Sequence, residues 1–331
     1  MPPFHAIAEK VRQGLPLPRH WDLLLRAATP LTRLGMAHRL RQPVSAVEAH
    51  VVSFGNITTG GTGKTPAVIA RVQDEIAAGH RVAVITRGYG SARVVEPYVV
   101  EPTMNLHDVA RLVGDEPALI RHRAPECLVI KAARRVDGAR LAVETYSCDR
   151  IILDDAYQHV QLARDENICL IDASNPFGSG HLLPRGILRE PLEALNRATE
   201  LIITRCDQAE DLPGLRRRLK EYVPHLPVRE TMHAAGRLWN LRTGETLSPA
   251  PGLSIRAVAA IGNPEAFLKT LTALDLDIAD VYTFPDHRQI SRAALTSSDP
   301  IITTEKDAMR IVDPPDNLYA LEIILKDWKE S

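Results

Sequence analysis

Residues 51–66 read VVSFGNITTGGTGKTP, a short apolar β-branched run followed by a glycine-rich turn that closes on Gly63-Lys64-Thr65. That order is what a phosphate-binding loop requires. A buried strand delivers the chain to a tight turn, and a helix starts at the lysine. Gly60, Gly61 and Gly63 permit positive φ and close backbone approach, so successive N–H groups face one anion. Lys64 supplies a point charge for terminal phosphates, and the Thr65 hydroxyl is placed to ligate Mg²⁺. Thr58 stands where the strict GxxxxGK[ST] pattern has its first glycine. Pro66 falls in the first helical turn, where a missing N–H has no intrahelical partner to lose. The loop formed by Thr58, Thr59, Gly60, Gly61, Thr62, Gly63, Lys64 and Thr65 is therefore expected to cradle a nucleoside triphosphate.

Composition sets outer limits on the rest. A chain of 331 residues with 45% apolar content has material for two domains, or for one large α/β domain with additions. A formal net charge of −1 gives no global field directed at nucleic acid. Cys127, Cys148, Cys169 and Cys206 lack CxxC or Cys/His spacing, so they read as reduced core residues of a cytoplasmic protein. No apolar stretch approaches the roughly 20 residues that span a bilayer, and no signal-peptide pattern opens the chain.

Charge is unevenly distributed, however. Residues 1–45 carry seven Lys/Arg against Glu9 and Asp22. Trp21, Leu23, Leu24 and Leu25, then Leu31, Leu34, Ala37 and Leu40, form short amphipathic patterns that Pro30 is expected to interrupt. Such a segment either lies on an anionic membrane surface or packs on the protein's own core with a solvated basic side. The sequence leaves both open.

Beyond the loop, residues 64–78 have helical periodicity with Gly79 as a C-cap. Strand-like runs occur at 82–86, 127–131, 150–154, 168–172 and 201–204, with helical segments near 107–122, 132–146 and 212–222. Apolar strands alternating with helices predict a parallel sheet covered on both faces, a P-loop NTPase-like α/β fold. Residues 224–252, rich in Pro, Gly and Arg, read as an irregular connection. Strands at 255–261, 300–304 and 318–324 with a helix near 264–274 then predict a smaller C-terminal α/β domain. The expected division is a basic helical segment (1–45), a P-loop core (46–225) and a C-terminal domain (226–331).

The strand at 150–154 ends in Asp154-Asp155, which puts carboxylates beside the loop where Mg²⁺ or its water sits. Gln158 and His159 follow closely enough to reach the same cleft. Asp115, in VGDEP, reads from its own context more as a helix cap or dipole partner than as a catalyst, and the His of the Asp286-His287 pair in FPDHR reads as structural at least as much as catalytic. Residues 178–191, GSGHLLPRGILREP, set Arg185 and Arg189 on a loop where guanidinium groups bind phosphate bidentately. Lys306 and Asp307, in TEKDAMR, either contact the nucleotide or cap a helix.

Taken together, the blocks GNITTGGTGKTP, ITRGYG, VGDEP, ILDDAYQH, LLPRGILREP, IGNP, FPDHR and TTEKDAMR, collinear from about residue 51 to 310, resemble one family. It is the tetraacyldisaccharide 4′-kinases of lipid A biosynthesis. The resemblance implies transfer of the γ-phosphoryl group of ATP to the 4′-hydroxyl of a lipid A disaccharide 1-phosphate, peripherally, at the cytoplasmic face of the inner membrane. It implies Lys64 and Thr65 on triphosphate and Mg²⁺, with Asp154, Asp155 and Glu190 in the metal environment. Asp115 would be the base on the sugar hydroxyl, paired with His287, while His159, Ser179 and Arg189 match further active-site positions. Where the family usually has DDGFQH this chain has Ala156 and Tyr157, so a left-handed residue at 156 would be strained. Two other classes compete: a P-loop NTPase acting as a conformational switch or in metallocentre assembly, and a non-catalytic membrane-surface module.

Overall fold

The computed structural model describes residues 3–286 and 288–329. In chain order its helices and strands begin with α1 (Pro3–Arg12), α2 (Arg19–Leu40), β1 (His50–Asn56), α3 (Lys64–Ala77), β2 (Val82–Thr86) and β3 (Tyr98–Val99). There follow α4 (Leu106–Val113), α5 (Asp115–Arg123), β4 (Leu128–Lys131), α6 (Arg135–Glu144), β5 (Arg150–Leu153), β6 (Glu166–Asp172) and β7 (Glu200–Thr204). The remainder comprises α7 (Leu212–Tyr222), β8 (Val228–Asn240), β9 (Thr246–Leu247), β10 (Ser254–Ala259), α8 (Pro264–Ala273), β11 (Asp277–Thr283), β12 (Ile301–Thr304), α9 (Glu305–Ala308) and β13 (Leu318–Asp327).

The strands form one sheet in the order β11-β10-β12-β13-β8-β7-β6-β1-β5-β2-β4-β3, with β9 attached to β8. Pairing is parallel except at β3–β4, β8–β13 and β8–β9. Strand β1 is central, between β5 and β6. Its side chains alternate between two cores, as the period of two demands. Val52 and Phe54 face α3, α4 and α5, together with Val84 and Ile152. Val51 faces α6, together with Ala83, Ile85, Ile151 and Leu153. Each such fully buried aliphatic stabilises the fold by about 1.5–3 kcal/mol, so a charge at Ile152 would open both the sheet and its helical cover. The four cysteines are free and buried.

Three expectations need correction. Pro30 does not interrupt the N-terminal segment, because α2 runs through it. The lost N–H leaves a carbonyl that water reaches on this exposed helix, and α2 is pinned to the body elsewhere. Thr32 Oγ1 donates to the Leu183 carbonyl at 2.7 Å, and Arg185 pairs with Asp22 at 2.7 Å. The segment 107–122 is two helices, broken where Gly114 adopts φ +107°. Residues 224–252 are not irregular, since they contain the thirteen-residue strand β8. Its first residues pair in parallel with β7, and from Thr231 to Asn240 it pairs antiparallel with β13. Bonded on both edges by backbone, this strand depends little on side-chain alternation, which is why its pattern is faint.

Candidate active site

Strand β1 ends at Asn56, and the loop after it carries the chain into α3 at Lys64. Two of the three loop glycines use the left-handed region, Gly60 at φ +110° and Gly63 at φ +78°. A Cβ on Gly63 would clash with the His233 ring, on β8, and would have to sit at positive φ, so this position strongly favours glycine. Gly61 serves differently: its carbonyl accepts from Arg205 Nη1 at 2.9 Å. The loop is also tied by backbone to the 178–191 segment, with Thr59 N–H to Ile187 O at 2.8 Å and Arg189 N–H to Ile57 O at 2.7 Å. Thr204 Oγ1 donates to the Thr62 carbonyl at 2.9 Å. Asn56 Nδ2 reaches Thr58 Oγ1 at 3.2 Å, which gives the threonine in the first-glycine position a role as acceptor.

Lys64 lies 3.4 Å from Asp155 and 3.4 Å from Asn56 Oδ1. Arg189 Nη1 contacts both oxygens of Asp155, at 3.1 and 3.2 Å. Burial opposes charge on Asp155, but Lys64 and Arg189 override it and hold its carboxyl below the usual carboxylate range. Asp155 is itself left-handed, at φ +46°, and Ala156 is not. The strain expected at position 156 therefore falls one residue earlier, on a residue type that tolerates it.

Asp154 behaves in the opposite way. It is 3% exposed, and its Oδ1 has no hydrogen-bond partner. Burial, then the neighbouring carboxylates Glu116 and Asp155, raise it well above the ordinary carboxylate range, against Lys64 and Arg135. A buried carboxylate oxygen without a donor, beside a second carboxylate and a phosphate loop, fits a divalent cation shared with a triphosphate. Among the described residues no cluster of three or more His, Cys, Asp or Glu forms a self-sufficient metal cage. Mg²⁺ in such sites draws much of its coordination from phosphate and water, so none is needed.

Glu190 is held by neighbouring side chains. Arg197 Nη2 contacts its two oxygens at 2.8 and 2.7 Å, and Gln158 Nε2 donates to it at 2.9 Å. Its charge is matched by Arg197, and it braces the Gln158–Arg189 contact. His159 is an acceptor, taking the Arg135 N–H at Nε2 over 3.2 Å. Burial, then the charges of Arg135, Arg164, Arg87 and Arg39, push it down to about 4, so it is neutral at pH 7. Ser179 is exposed, with its backbone nitrogen beside Gly14. Arg185 is occupied by Asp22 of α2, at 2.7 Å.

Asp115 opens α5 and is 7% exposed. Its Oδ1 accepts the Glu116 N–H at 3.0 Å, and its Oδ2 lies 3.6 Å from Arg310 Nε. Lys306 Nζ pairs with Glu116 at 3.2 Å. Glu116 is also an electrostatic neighbour of Asp154, which brings the start of α5 near the Lys64–Asp154–Asp155 group. His287 lies outside the described residues. Sequence reasoning left Lys306 undecided and passed over Glu116, Arg205 and Arg310. Only the Asp115-Glu116 pairing hinted at the first of these, and nothing local hinted at the others.

Residues 17–328 match the family model described as tetraacyldisaccharide-1-P 4′-kinase. A tetraacyldisaccharide 4′-kinase of Anaeromyxobacter sp. (strain K) is 40% identical over 282 residues, 81% of this chain and 74% of the relative. One from Halothermothrix orenii is 36% identical over 313 residues, 85% and 81% of the two chains. The crystal structure of LpxK from Aquifex aeolicus in complex with ATP superimposes with a TM-score of 0.73 at 24% identity, covering 93% of this chain and 96% of that one. With its phosphate loop, its paired aspartates and these relatives, the chain belongs to the tetraacyldisaccharide-1-phosphate 4′-kinase family.

Proposed function

We propose that this chain transfers the γ-phosphoryl group of ATP to the 4′-hydroxyl of a tetraacyldisaccharide 1-phosphate in lipid A biosynthesis, with Asp115 accepting the hydroxyl proton. One observation supports the reading: Glu116, next to Asp115 at the start of α5, is near enough to Asp154 for its charge to act there, beside the Lys64–Asp155 pair. Phosphoryl transfer needs positioning and charge neutralisation more than covalent help. Lys64 and the N–H groups of the loop hold the terminal phosphates, and Arg189, fixed by Asp155, adds charge where negative charge develops. Thr65, Asp154 and Asp155 would hold Mg²⁺, which supplies neutralisation of the phosphate oxygens. Asp115, buried and oriented by the Glu116 N–H, takes the proton as the new P–O bond forms. His287 is its proposed partner, delivered by the FPDHR segment of the C-terminal part, residues 226–331.

The N-terminal helix supports a lipid-borne acceptor. No residue of α2 is buried. At 100° per residue, Leu23, Leu24, Ala27, Leu31 and Leu34 fall on one arc, with Arg19, Arg26 and Arg33 along its border. Leu23, Leu24, Leu31 and Leu34 are 60–70% exposed. That face suits the anionic surface of a bilayer, with peripheral attachment at the cytoplasmic side of the inner membrane. Among the described residues no helix is long and apolar enough to cross a membrane.

The test is incubation with γ-labelled ATP, Mg²⁺ and a lipid A disaccharide 1-phosphate. Label in the lipid is the expected outcome. Free phosphate without labelled lipid would instead indicate a nucleotide-driven switch, and no turnover a binding module.

A further inference from the structure

Arg310 follows α9 and belongs to none of the groups placed above on ATP or its phosphates. Its guanidinium nevertheless meets four separate elements. Nε lies 3.6 Å from Asp115 Oδ2, at the start of α5. Nη2 pairs with Asp307 on α9 and donates to the Ala260 carbonyl, at the end of β10, over 3.3 Å. Nη1 donates to the Arg288 carbonyl, in the FPDHR loop, over 3.4 Å. Asp307 is wholly buried and further fixed, accepting from Thr304 Oγ1 at 2.8 Å and from the Ala260 N–H at 2.9 Å. Nε is buried without a hydrogen bond, so Asp115 is the charge it answers to. A rigid planar fork with five donors can hold several oxygens at fixed separations, and an ammonium on a flexible stem cannot.

We infer that Arg310 is a positioning residue for phosphoryl transfer, holding the Asp115 carboxylate at a set distance from the FPDHR loop and the end of β10. The inference rests on the reading of Asp115 as the proton acceptor. The acceptor hydroxyl must meet that carboxylate within hydrogen-bond reach, and a displacement of about 1 Å costs on the order of 100-fold in rate. Arg310 touches neither hydroxyl nor phosphate in this account. It acts through Asp115.

Arg310→Gln, Arg310→Lys, Asp115→Asn and the double variant Asp115→Asn/Arg310→Gln test this by single-turnover labelling of a lipid A disaccharide 1-phosphate, alongside ATP titrations and thermal unfolding. Arg310→Gln is expected to lower kcat about 10- to 100-fold with the ATP Kd within about two-fold. Arg310→Lys should recover part of that loss, because a cation remains beside Asp115. In the Asp115→Asn background, Arg310→Gln should cost nothing further, since the group it positions is gone. If Arg310→Gln does not fold, Arg310→Lys replaces it in the same cycle. Equal losses in both backgrounds, unchanged kcat, or parallel loss of ATP affinity would each overturn the inference. Full activity in Asp115→Asn would instead overturn the reading beneath it, while a dead Asp115→Asn with an unimpaired Arg310→Gln removes only the inference.

Discussion

The two walls of the proposed cleft are built by different means. The phosphate wall is largely backbone: one short loop with two left-handed glycines, stitched by main-chain hydrogen bonds to the 178–191 segment. The wall proposed for the acceptor is side-chain chemistry between elements far apart in sequence, with Asp115, Glu116, Lys306, Asp307 and Arg310 meeting in ion pairs. Backbone cradles accept any nucleotide that fits their geometry, whereas a side-chain assembly is correct only when several segments arrive together. The difference predicts that damage to the first wall appears in nucleotide binding and damage to the second appears in turnover.

Lys64→Ala and Asp115→Asn put that division to its strongest test. The first should lower both ATP affinity and kcat, with turnover falling by on the order of 1,000-fold. The second should lower kcat by about 100- to 10,000-fold while the ATP Kd stays within two-fold. Equal loss of ATP affinity in both variants would erase the distinction between the walls.

Gly63→Ala sharpens the account of the phosphate wall. The new methyl must leave φ +78° or push His233 aside, a strain of about 1–3 kcal/mol. ATP affinity should fall about 10- to 100-fold, and replacing His233 by alanine in the same chain should restore part of it. Isothermal titration with both variants reads the effect.

A pH series separates structural from catalytic histidine. The folded protein holds His159 near 4, below its usual 6.5, so at neutral pH both folded and unfolded chains carry it uncharged. As pH falls below 6.5 the unfolded chain takes up a proton that the folded one refuses. Stability from this group is therefore full above 6.5 and lost progressively down to about 4, by roughly 2 kcal/mol. His233 pulls in the same direction and Glu305, raised to about 7 by burial, in the opposite one. The informative quantity is thus the difference from His159→Gln, whose urea-unfolding free energy should decline less between pH 6.5 and 4. The smallest effect is expected from Ala156→Gly. Ala156 is fully buried with ordinary φ, so glycine should cost about 0.5–1 kcal/mol of stability in urea unfolding and leave turnover nearly unchanged.

What could be read from the chain itself divides along the same line. The phosphate wall was legible because its parts are contiguous: strand, glycines, lysine and helix occupy residues 51–77, and Asp154-Asp155 announces itself at the end of an apolar strand. The acceptor wall was legible only as a family resemblance, because nothing near Asp115 in sequence reveals that Arg310 lies beside it. The partner of Glu190 was hidden for a related reason, as Arg197 sits seven residues on and no local pattern points it back. The helix through Pro30 and the long strand β8 were missed because their cohesion comes from contacts outside their own segments.

Strand β8 has one more consequence. Since its opening residues complete the sheet around β7 and its remaining length completes the sheet around β13, neither part of the polypeptide is self-sufficient. Cutting the gene near residue 225 would strip β7 of its neighbour and leave a naked, adhesive edge. The expected boundary near residue 225 thus falls just before the strand that both halves share, and a split there is expected to leave two sticky, poorly folding fragments.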